Sequence, residues 1–232
     1  MVLVCHDNRF VFLKTRKTAG TSAEMFLQSY CAGQPETPDE RTHAQVTPHC
    51  IVGRRRIPAE ERTDLDRTWY NHMPATELRT LLGPDQWQDY MKITTVRNPF
   101  AIAVSQFYFR LRTRNLTLPD HPEAHVTAFR KAVKKDKYYS CENIVYDQGE
   151  FAPRMIVRCE YMQEDLARVC EALDLSFEAD RLPVTKRTGD MRLGLSVADF
   201  YDRASTARIH DIFAWMFDKA GYPDTPVGET TP

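Results

Sequence analysis

A run of cations, hydroxyls and one glycine near the start of the chain, residues 14–22 (KTRKTAGTS), has the composition of an anion-binding loop. The apolar run before it predicts a strand over residues 9–14, and apolar residues at helical spacing predict a helix over residues 23–31. The N–H groups at the start of such a helix attract phosphate-like anions, and Gly20 lets the backbone approach a ligand closely. Lys17 adds a full positive charge, so the loop predicts a site for a phosphate or a similar anion.

This pattern differs from the common nucleotide-triphosphate loop, which reads G-x-x-x-x-G-K-[ST]. No glycine precedes Lys17, and a second predicted strand, residues 91–96, is followed by Arg97 rather than by an aspartate that would hold magnesium. The sequence therefore predicts an anion bound by cations and amides, with no metal implied. An exposed basic turn before an ordinary helix, capped by Thr21 or Ser22, explains the loop equally well when it is taken alone.

The second motif is Arg97-Asn-Pro99, with Ser105 eight residues after the arginine. Apolar residues at helical spacing predict a long helix from Phe100 to Leu111. An arginine fork at a strand end and a serine hydroxyl on the next helix can bind one phosphate through charge-assisted hydrogen bonds. Taken alone, this motif is better explained by a surface ion pair and a solvent-facing serine, so its weight comes from its combination with the first loop.

Together the two motifs resemble the sulfotransferase superfamily, whose donor is 3′-phosphoadenosine 5′-phosphosulfate (PAPS), and most of all its branch of carbohydrate 2-O-sulfotransferases and bacterial members. The similarity continues in residues 71–79 (NHMPATELR), 157–161 (VRCEY) and 182–187 (LPVTKR), and so covers residues 9–222. It implies a P-loop-NTPase-like sulfotransferase fold, an α/β architecture with a central parallel sheet flanked by helices. It also implies transfer of a sulfuryl group to an acceptor hydroxyl, on a carbohydrate or a small metabolite.

The resemblance also implies which residues bind PAPS. The first loop would hold the 5′-phosphosulfate, while the second motif and a late basic loop would hold the 3′-phosphate. The expected PAPS-binding residues are Lys14, Arg16, Lys17, Thr18, Ala19, Gly20, Thr21, Ser22, Arg97, Ser105, Lys186, Arg187 and Arg192. Many relatives have a histidine and a proline in place of Lys14 and Arg16, which leaves open whether Lys14 or Lys17 faces the reacting oxygen.

Two residues are expected to be catalytic. Lys17 would stabilise the charge that develops on the bridging oxygen of the leaving nucleotide. His72 would be the general base that takes the proton of the acceptor hydroxyl. A structural histidine bonded to the backbone is the alternative for His72, and a solvated charged loop is the alternative for residues 186–192.

The remaining elements alternate between strands and helices, which favours parallel pairing with ligands bound beyond the carboxyl ends of the strands. A short helix is expected to start with Pro74 at its first position and to end at Gly83. Further elements are predicted as a strand over residues 155–159 and helices over residues 122–135, 165–175 and about 209–217.

The sequence also predicts the domain organisation. Residues 33–68 lack periodicity and are expected to form a long loop or insertion over the active-site face. A single domain over residues 1–222 is expected, followed by a flexible tail over residues 223–232.

Composition excludes several classes of function. Lysine plus arginine (31) nearly equals aspartate plus glutamate (32), which argues against a nucleic-acid partner. No secretory signal and no membrane-spanning run is recognised, so a cytoplasmic location is expected. The six cysteines have no C-x-x-C spacing and are expected to be reduced, and a zinc site from His43, His49 and Cys50 is disfavoured.

Two other functions fit parts of the pattern. A nucleotide or small-molecule kinase on a related fold would explain a phosphate-binding loop, but the glycine pattern and the magnesium aspartate are missing. A non-catalytic protein that binds PAPS or another nucleotide would have the same binding residues and show no turnover with any hydroxyl acceptor.

Overall fold

The computed structural model describes residues 2–183 and 192–227, which form an α/β fold. The chain divides into two compact units, one of Met1–Val96 with Cys141–Thr185 and one of Arg97–Ser140 with Lys186–Pro232. The first unit holds the β-sheet, and the described part of the second unit is helical. The predicted α/β class is therefore confirmed, while the specific sulfotransferase fold and the single domain stay predictions.

The main sheet belongs to the first unit and has six strands. They are β1 Leu3–Cys5, β2 Phe10–Leu13, β3 Gln45–Val46, β4 Cys50–Val52, β5 Met91–Val96 and β8 Met155–Arg158. Their order in the sheet is β3-β4-β1-β2-β5-β8. The sheet is mixed, because the expected parallel pairing joins β2 to β5 and β5 to β8, whereas the other neighbouring strands pair antiparallel. A separate hairpin pairs β6 Tyr146–Asp147 with β7 Glu150–Phe151.

Each helix belongs to one of the two units. The first unit has α1 Gly20–Gln28, α2 Asp64–Thr68, α3 Ala75–Leu82, α4 Pro84–Asp89, α7 Glu142–Val145 and α8 Met162–Ala172. The second has α5 Pro99–Thr113, α6 Pro122–Lys135, α9 Arg203–Ile212 and α10 Ala214–Ala220. No helix in residues 2–183 and 192–227 is long and apolar enough to cross a membrane.

The segment of residues 33–68 is not the long loop that its lack of periodicity predicted. It contains β3, β4, α2 and a short 3₁₀ turn at Ala59–Glu61, and β3 and β4 extend the main sheet. These elements have two to five residues each, too few for a periodic pattern to emerge.

Other predicted boundaries also shift. Pro74 occupies the N-cap position of α3 rather than the first helical position, and Gly83 separates α3 from the unpredicted α4, which starts at Pro84. The single helix predicted over residues 209–217 is two helices, α9 and α10, divided at Phe213.

Each unit has its own apolar core. In the first unit, α1 and α8 bury one side of the main sheet through side chains such as Phe12, Phe26 and Leu166. Burial of a side chain of this size contributes about 1.5–3 kcal/mol. In the second unit, Phe129 contacts the rings of Phe200 and Tyr201 edge to face.

Candidate functional site

The loop of residues 14–19, called the basic loop from here on, follows β2 as predicted. Strand β2 ends at Leu13, opposite Thr94 of the parallel strand β5, and α1 begins at Gly20. Residues 14–19 therefore lie at the carboxyl edge of these parallel strands, where open α/β sheets bind their ligands.

Three buried threonines fix the shape of this loop. The hydroxyl of Thr18 lies 2.9 Å from that of Thr15 and 2.8 Å from that of Thr95 on β5. The Thr15 hydroxyl also donates to the Thr95 carbonyl oxygen. The Thr18 hydroxyl is buried and joins the loop to β5 through Thr95, and its expected contact with the donor stays a prediction.

The loop backbone is strained at two positions. Lys17 and Ala19 have φ angles of 66° and 55°, in the left-handed region, although neither is glycine. A left-handed conformation costs an L-residue roughly 1–2 kcal/mol. Such strain persists only where the surroundings impose it, and it clusters at functional sites. The threonine network supplies that constraint here.

The start of α1 lacks a side-chain cap. Ala19 is the N-cap residue, and its methyl side chain makes no cap hydrogen bond. The prediction that Thr21 or Ser22 caps this helix is therefore wrong, because the helix already begins at Gly20. The N–H of Ser22 donates to the Ala19 carbonyl oxygen at 2.9 Å, so Gly20 and Thr21 are the residues whose N–H groups, with the partial positive charge of the helix end, can meet an anion.

Gly20 is required by close packing. A Cβ atom at Gly20 would lie 3.0 Å from Cγ of Lys14 and 3.0 Å from Oγ1 of Thr95. Thr95 belongs to β5 and the Lys14 side chain is buried, so neither can easily move away.

Gly20→Ala should consequently destabilise the first unit by about 1–3 kcal/mol, the usual cost of overpacking a filled site. Thermal unfolding of the variant measures this loss. An unchanged melting temperature would contradict the packing described for Gly20.

The side chain of Lys14 belongs to a buried ion network. Its Nζ donates to Oε2 of Glu24 at 2.9 Å, and Nη1 of Arg55 lies 3.4 Å from the same oxygen. All three side chains are at most 4% exposed. Burial alone would raise the pKa of Glu24, but the charges of Lys14 and Arg55 outweigh that effect and lower it. The carboxyl is therefore ionised at neutral pH.

Arg55 connects this network to the segment of residues 33–68. Its Nε donates to the carbonyl oxygen of Glu40 at 2.8 Å, and its Nη2 donates to that of Asp39. Its backbone exchanges two hydrogen bonds with Thr42. The network thus joins the first loop, α1 and the segment before β3.

Arg16 and Lys17 are partly exposed, in contrast to Lys14. The Arg16 backbone N–H donates to Sγ of Cys141 at 3.3 Å. Burial raises the pKa of Cys141 to about 11, so this sulfur stays a neutral thiol. Among the loop cations, Arg16 and Lys17 are therefore the two whose side chains reach solvent.

His72 lies against the same loop. Its Nδ1 is 2.9 Å from the carbonyl oxygen of Lys14. A carbonyl only accepts, so Nδ1 carries the proton and Nε2 is left with the lone pair. Burial first, then the charges of Arg16 and Lys14, lower the pKa of His72 well below its usual value. The ring is neutral at pH 7, and Nε2 keeps an unshared lone pair.

The neighbourhood of His72 has two further unusual features. His72 itself has a φ of 62°, a third left-handed residue beside the loop. The side-chain oxygen of Asn71 is buried without a hydrogen-bond partner in the described part of the chain. A buried acceptor of this kind is costly unless a water or a ligand supplies a donor.

The second motif lies in the second unit and has a clear local explanation. Asn98 caps α5, because its side chain accepts from the N–H groups of Phe100 and Ala101, and Pro99 takes the first helical turn. Arg97 precedes this cap directly after β5, and Ser105 is buried within α5 rather than solvent-facing. Arg192 is a partly exposed residue of the same unit, whereas Lys186 and Arg187 lie outside the described residues.

In the first unit, the structure brings the predicted loop residues and His72 together. Three contributors were not predicted, namely Thr95, Arg55 and Cys141. Thr95 was the one with a signal in the sequence, because a residue at the end of a parallel strand neighbours the loop after the next strand. Within residues 2–183 and 192–227, no group of three or more His, Cys, Asp or Glu side chains is arranged to hold a metal ion.

Comparison of the chain with family models, with curated proteins and with solved structures finds no match.

Proposed function

We propose that this protein is a sulfotransferase that moves a sulfuryl group from PAPS to an acceptor hydroxyl, on a carbohydrate or a small metabolite. The observation that carries the proposal is the contact between His72 and the basic loop, through Nδ1 and the Lys14 carbonyl oxygen. In this contact a neutral imidazole lies beside the loop that leads to the start of α1. The resemblance of the two sequence motifs to sulfotransferases points to the same chemistry.

The loop supports binding of the 5′-phosphosulfate. The uncapped start of α1 offers N–H donors, and Arg16 and Lys17 offer charges that reach solvent. Lys14 is a poorer candidate for the reacting oxygen, because its amine is buried against Glu24. We therefore propose Lys17, rather than Lys14, as the residue that stabilises the bridging oxygen.

The proposed step is an in-line displacement at sulfur, similar to phosphoryl transfer. The acceptor oxygen forms a bond to sulfur while the bond from sulfur to the bridging oxygen of the nucleotide breaks. His72 Nε2 takes the proton of the acceptor, and Lys17 stabilises the charge on the leaving 3′-phosphoadenosine 5′-phosphate. The products are a sulfate ester and that nucleotide.

The proposal also assigns the 3′-phosphate to Arg97 and Ser105. Arg97 directly precedes the N-cap residue of α5, where the helix dipole adds to the arginine charge, and Ser105 lies about two turns into the same helix. The resemblance adds Arg192 to this basic set, together with Lys186 and Arg187, which lie outside the described residues.

Replacement of Lys17 tests the first part of the donor site. Charge-assisted hydrogen bonds contribute roughly 1.5–3 kcal/mol each, so Lys17→Ala should weaken nucleotide binding about tenfold or more. The measurement is the thermal shift produced by 3′-phosphoadenosine 5′-phosphate in excess chelator, with Lys219→Ala as a surface-lysine control. No stabilisation of the wild type at millimolar nucleotide would contradict the donor site, and stabilisation only with magnesium would favour a kinase.

Replacement of Arg97 tests the second part. The wild type should bind 3′-phosphoadenosine 5′-phosphate more tightly than 5′-AMP, because only the former carries the 3′-phosphate. Arg97→Ala should largely remove this preference through loss of a bidentate phosphate contact, whereas Arg67→Ala, at an exposed ion pair, should keep it. Titration calorimetry with both nucleotides measures the difference. A full preference in Arg97→Ala would show that Arg97 is misassigned.

A further inference from the structure

Three of the six cysteines meet in the core of the first unit, away from the basic loop. Cys5 lies in β1, Cys50 begins β4, and Cys31 follows the C-terminal end of α1. All three side chains are buried in the same apolar cluster.

The pairing of β1 with β4 places Cys5 directly opposite Cys50. In the same register, Val2 pairs with Gly53 and His6 pairs with His49 through backbone hydrogen bonds of 2.7 and 2.8 Å. Hydrogen-bonded and non-hydrogen-bonded pairs alternate along an antiparallel ladder, so Cys5 and Cys50 form a non-hydrogen-bonded pair. The Cα atoms of such a pair are about 4.5 Å apart, within the range that a disulfide spans.

Each of these two sulfurs accepts a hydrogen bond from a neighbouring side chain. Asn8 Nδ2 lies 3.4 Å from Sγ of Cys5, and Thr47 Oγ1 lies 3.6 Å from Sγ of Cys50. Donors directed at a sulfur favour its thiolate form, which is the nucleophile in thiol chemistry.

Cys31 strengthens this effect. The neighbouring Cys31 thiol outweighs burial and lowers the pKa of Cys50 to about 6, and it lowers the pKa of Cys5 as well. The pKa of Cys31 is raised in turn, so Cys31 stays a neutral thiol, and it donates to the carbonyl oxygen of Leu27 at 3.7 Å.

We propose that Cys5 and Cys50 form a reversible oxidation site, at which hydrogen peroxide converts the two facing thiols into a cross-strand disulfide. The Cys50 thiolate attacks one peroxide oxygen, the O–O bond breaks, and hydroxide departs. Cys50 is then a sulfenic acid. Cys5 then attacks that sulfur, and the sulfenic oxygen departs as water. In sum, two thiols lose two hydrogen atoms and one peroxide becomes two molecules of water.

Access of peroxide to the site is through the edge of the sheet. Cys50 closes the turn of residues 47–49 between β3 and β4, and Pro48 and His49 in this turn are exposed. Strand β3 has only two residues and lies at the sheet edge, so local opening of this hairpin costs little compared with global unfolding.

Peptide mapping of the wild-type protein tests the site without reliance on any variant. The folded protein is treated with hydrogen peroxide, the remaining thiols are alkylated, and the peptides are identified by mass spectrometry before and after reduction. We expect one reducible link between the peptides of Cys5 and Cys50. Cys141 should resist the peroxide, because burial raises its pKa to about 11, and should therefore be found alkylated. Full alkylation of all six cysteines, or a first link through any other cysteine, would overturn the proposal.

Two serine variants add a matched comparison. Cys31→Ser keeps a donor beside the pair and should still form the Cys5–Cys50 link. Cys5→Ser removes the resolving thiol, so a sulfenic acid on Cys50 should accumulate and be trapped by a dimedone-type reagent. A Cys5→Ser protein that folds but gives no trapped Cys50 would contradict the assignment of Cys50 as the attacking thiol.

Discussion

Arg55→Ala is expected to lower the free energy of unfolding of the first unit by about 3–5 kcal/mol, the usual cost of removing one partner from a buried ion network. For a chain of this size, that loss corresponds to a fall in melting temperature of roughly 6–20 °C. The reason is that Glu24 keeps its charge in the core after losing the guanidinium beside it, and the carbonyl oxygens of Asp39 and Glu40 lose the hydrogen bonds that Arg55 donates.

The neighbouring arginine provides a matched control. Arg56 pairs with Glu40 at the surface, with both side chains at least one-third exposed. Surface pairs contribute about 0–1 kcal/mol, so Arg56→Ala should change the melting temperature little. Equal losses in the two variants, measured by chemical and thermal denaturation, would contradict the buried network.

His72→Asn is expected to reduce sulfuryl transfer by about 10²–10⁴-fold, the usual contribution of a general base. Nucleotide affinity should be nearly unchanged, because the ring touches the loop through a backbone carbonyl and not through Lys17. The measurement compares transfer from labelled PAPS with the thermal shift produced by 3′-phosphoadenosine 5′-phosphate. His49→Asn, an exposed histidine paired with Asp7, is the control and should keep full activity.

The pH dependence gives the same hypothesis a second test. Because burial lowers the pKa of His72 well below 6.5, Nε2 stays unprotonated, and the rate should hold constant as the pH falls to about 6.5. Below that value the unfolded state takes up a proton that the folded state resists, so stability should fall with decreasing pH. A folded His72→Asn protein with near-normal turnover would exclude His72 as the base.

The sequence predicted the parts of the fold that depend on local pattern. An apolar run marks each of the strands β2, β5 and β8, and helical periodicity marks α1. Both patterns can be recognised within one segment of the sequence. The loop between β2 and α1 was identified by its charges and by Gly20, and its position at the carboxyl edge follows from parallel pairing.

The rest depends on contacts between distant segments. Nothing around Arg55 distinguishes it from Arg54 and Arg56, yet it alone of the three is fully buried, through pairing with Glu24. Lys14 was predicted to bind a ligand because a charged side chain is expected to reach solvent. Its buried partner, Glu24, becomes evident only in the folded chain. Cys5 faces Cys50 only because β1 and β4 pair antiparallel in one particular register. Each strand has three residues, too few for the sequence to predict that register.

Incubation with PAPS labelled in its sulfate tests the proposed sulfuryl transfer most directly. The protein is mixed with fractionated cell extract and excess chelator, and the molecules that acquire label are identified. We predict a labelled sulfate ester in a hydroxyl-bearing fraction, formed by the wild type and strongly reduced with Lys17→Ala and with His72→Asn. If no labelled ester forms although the protein still binds 3′-phosphoadenosine 5′-phosphate, the result would contradict sulfotransferase activity and would favour a non-catalytic nucleotide-binding protein.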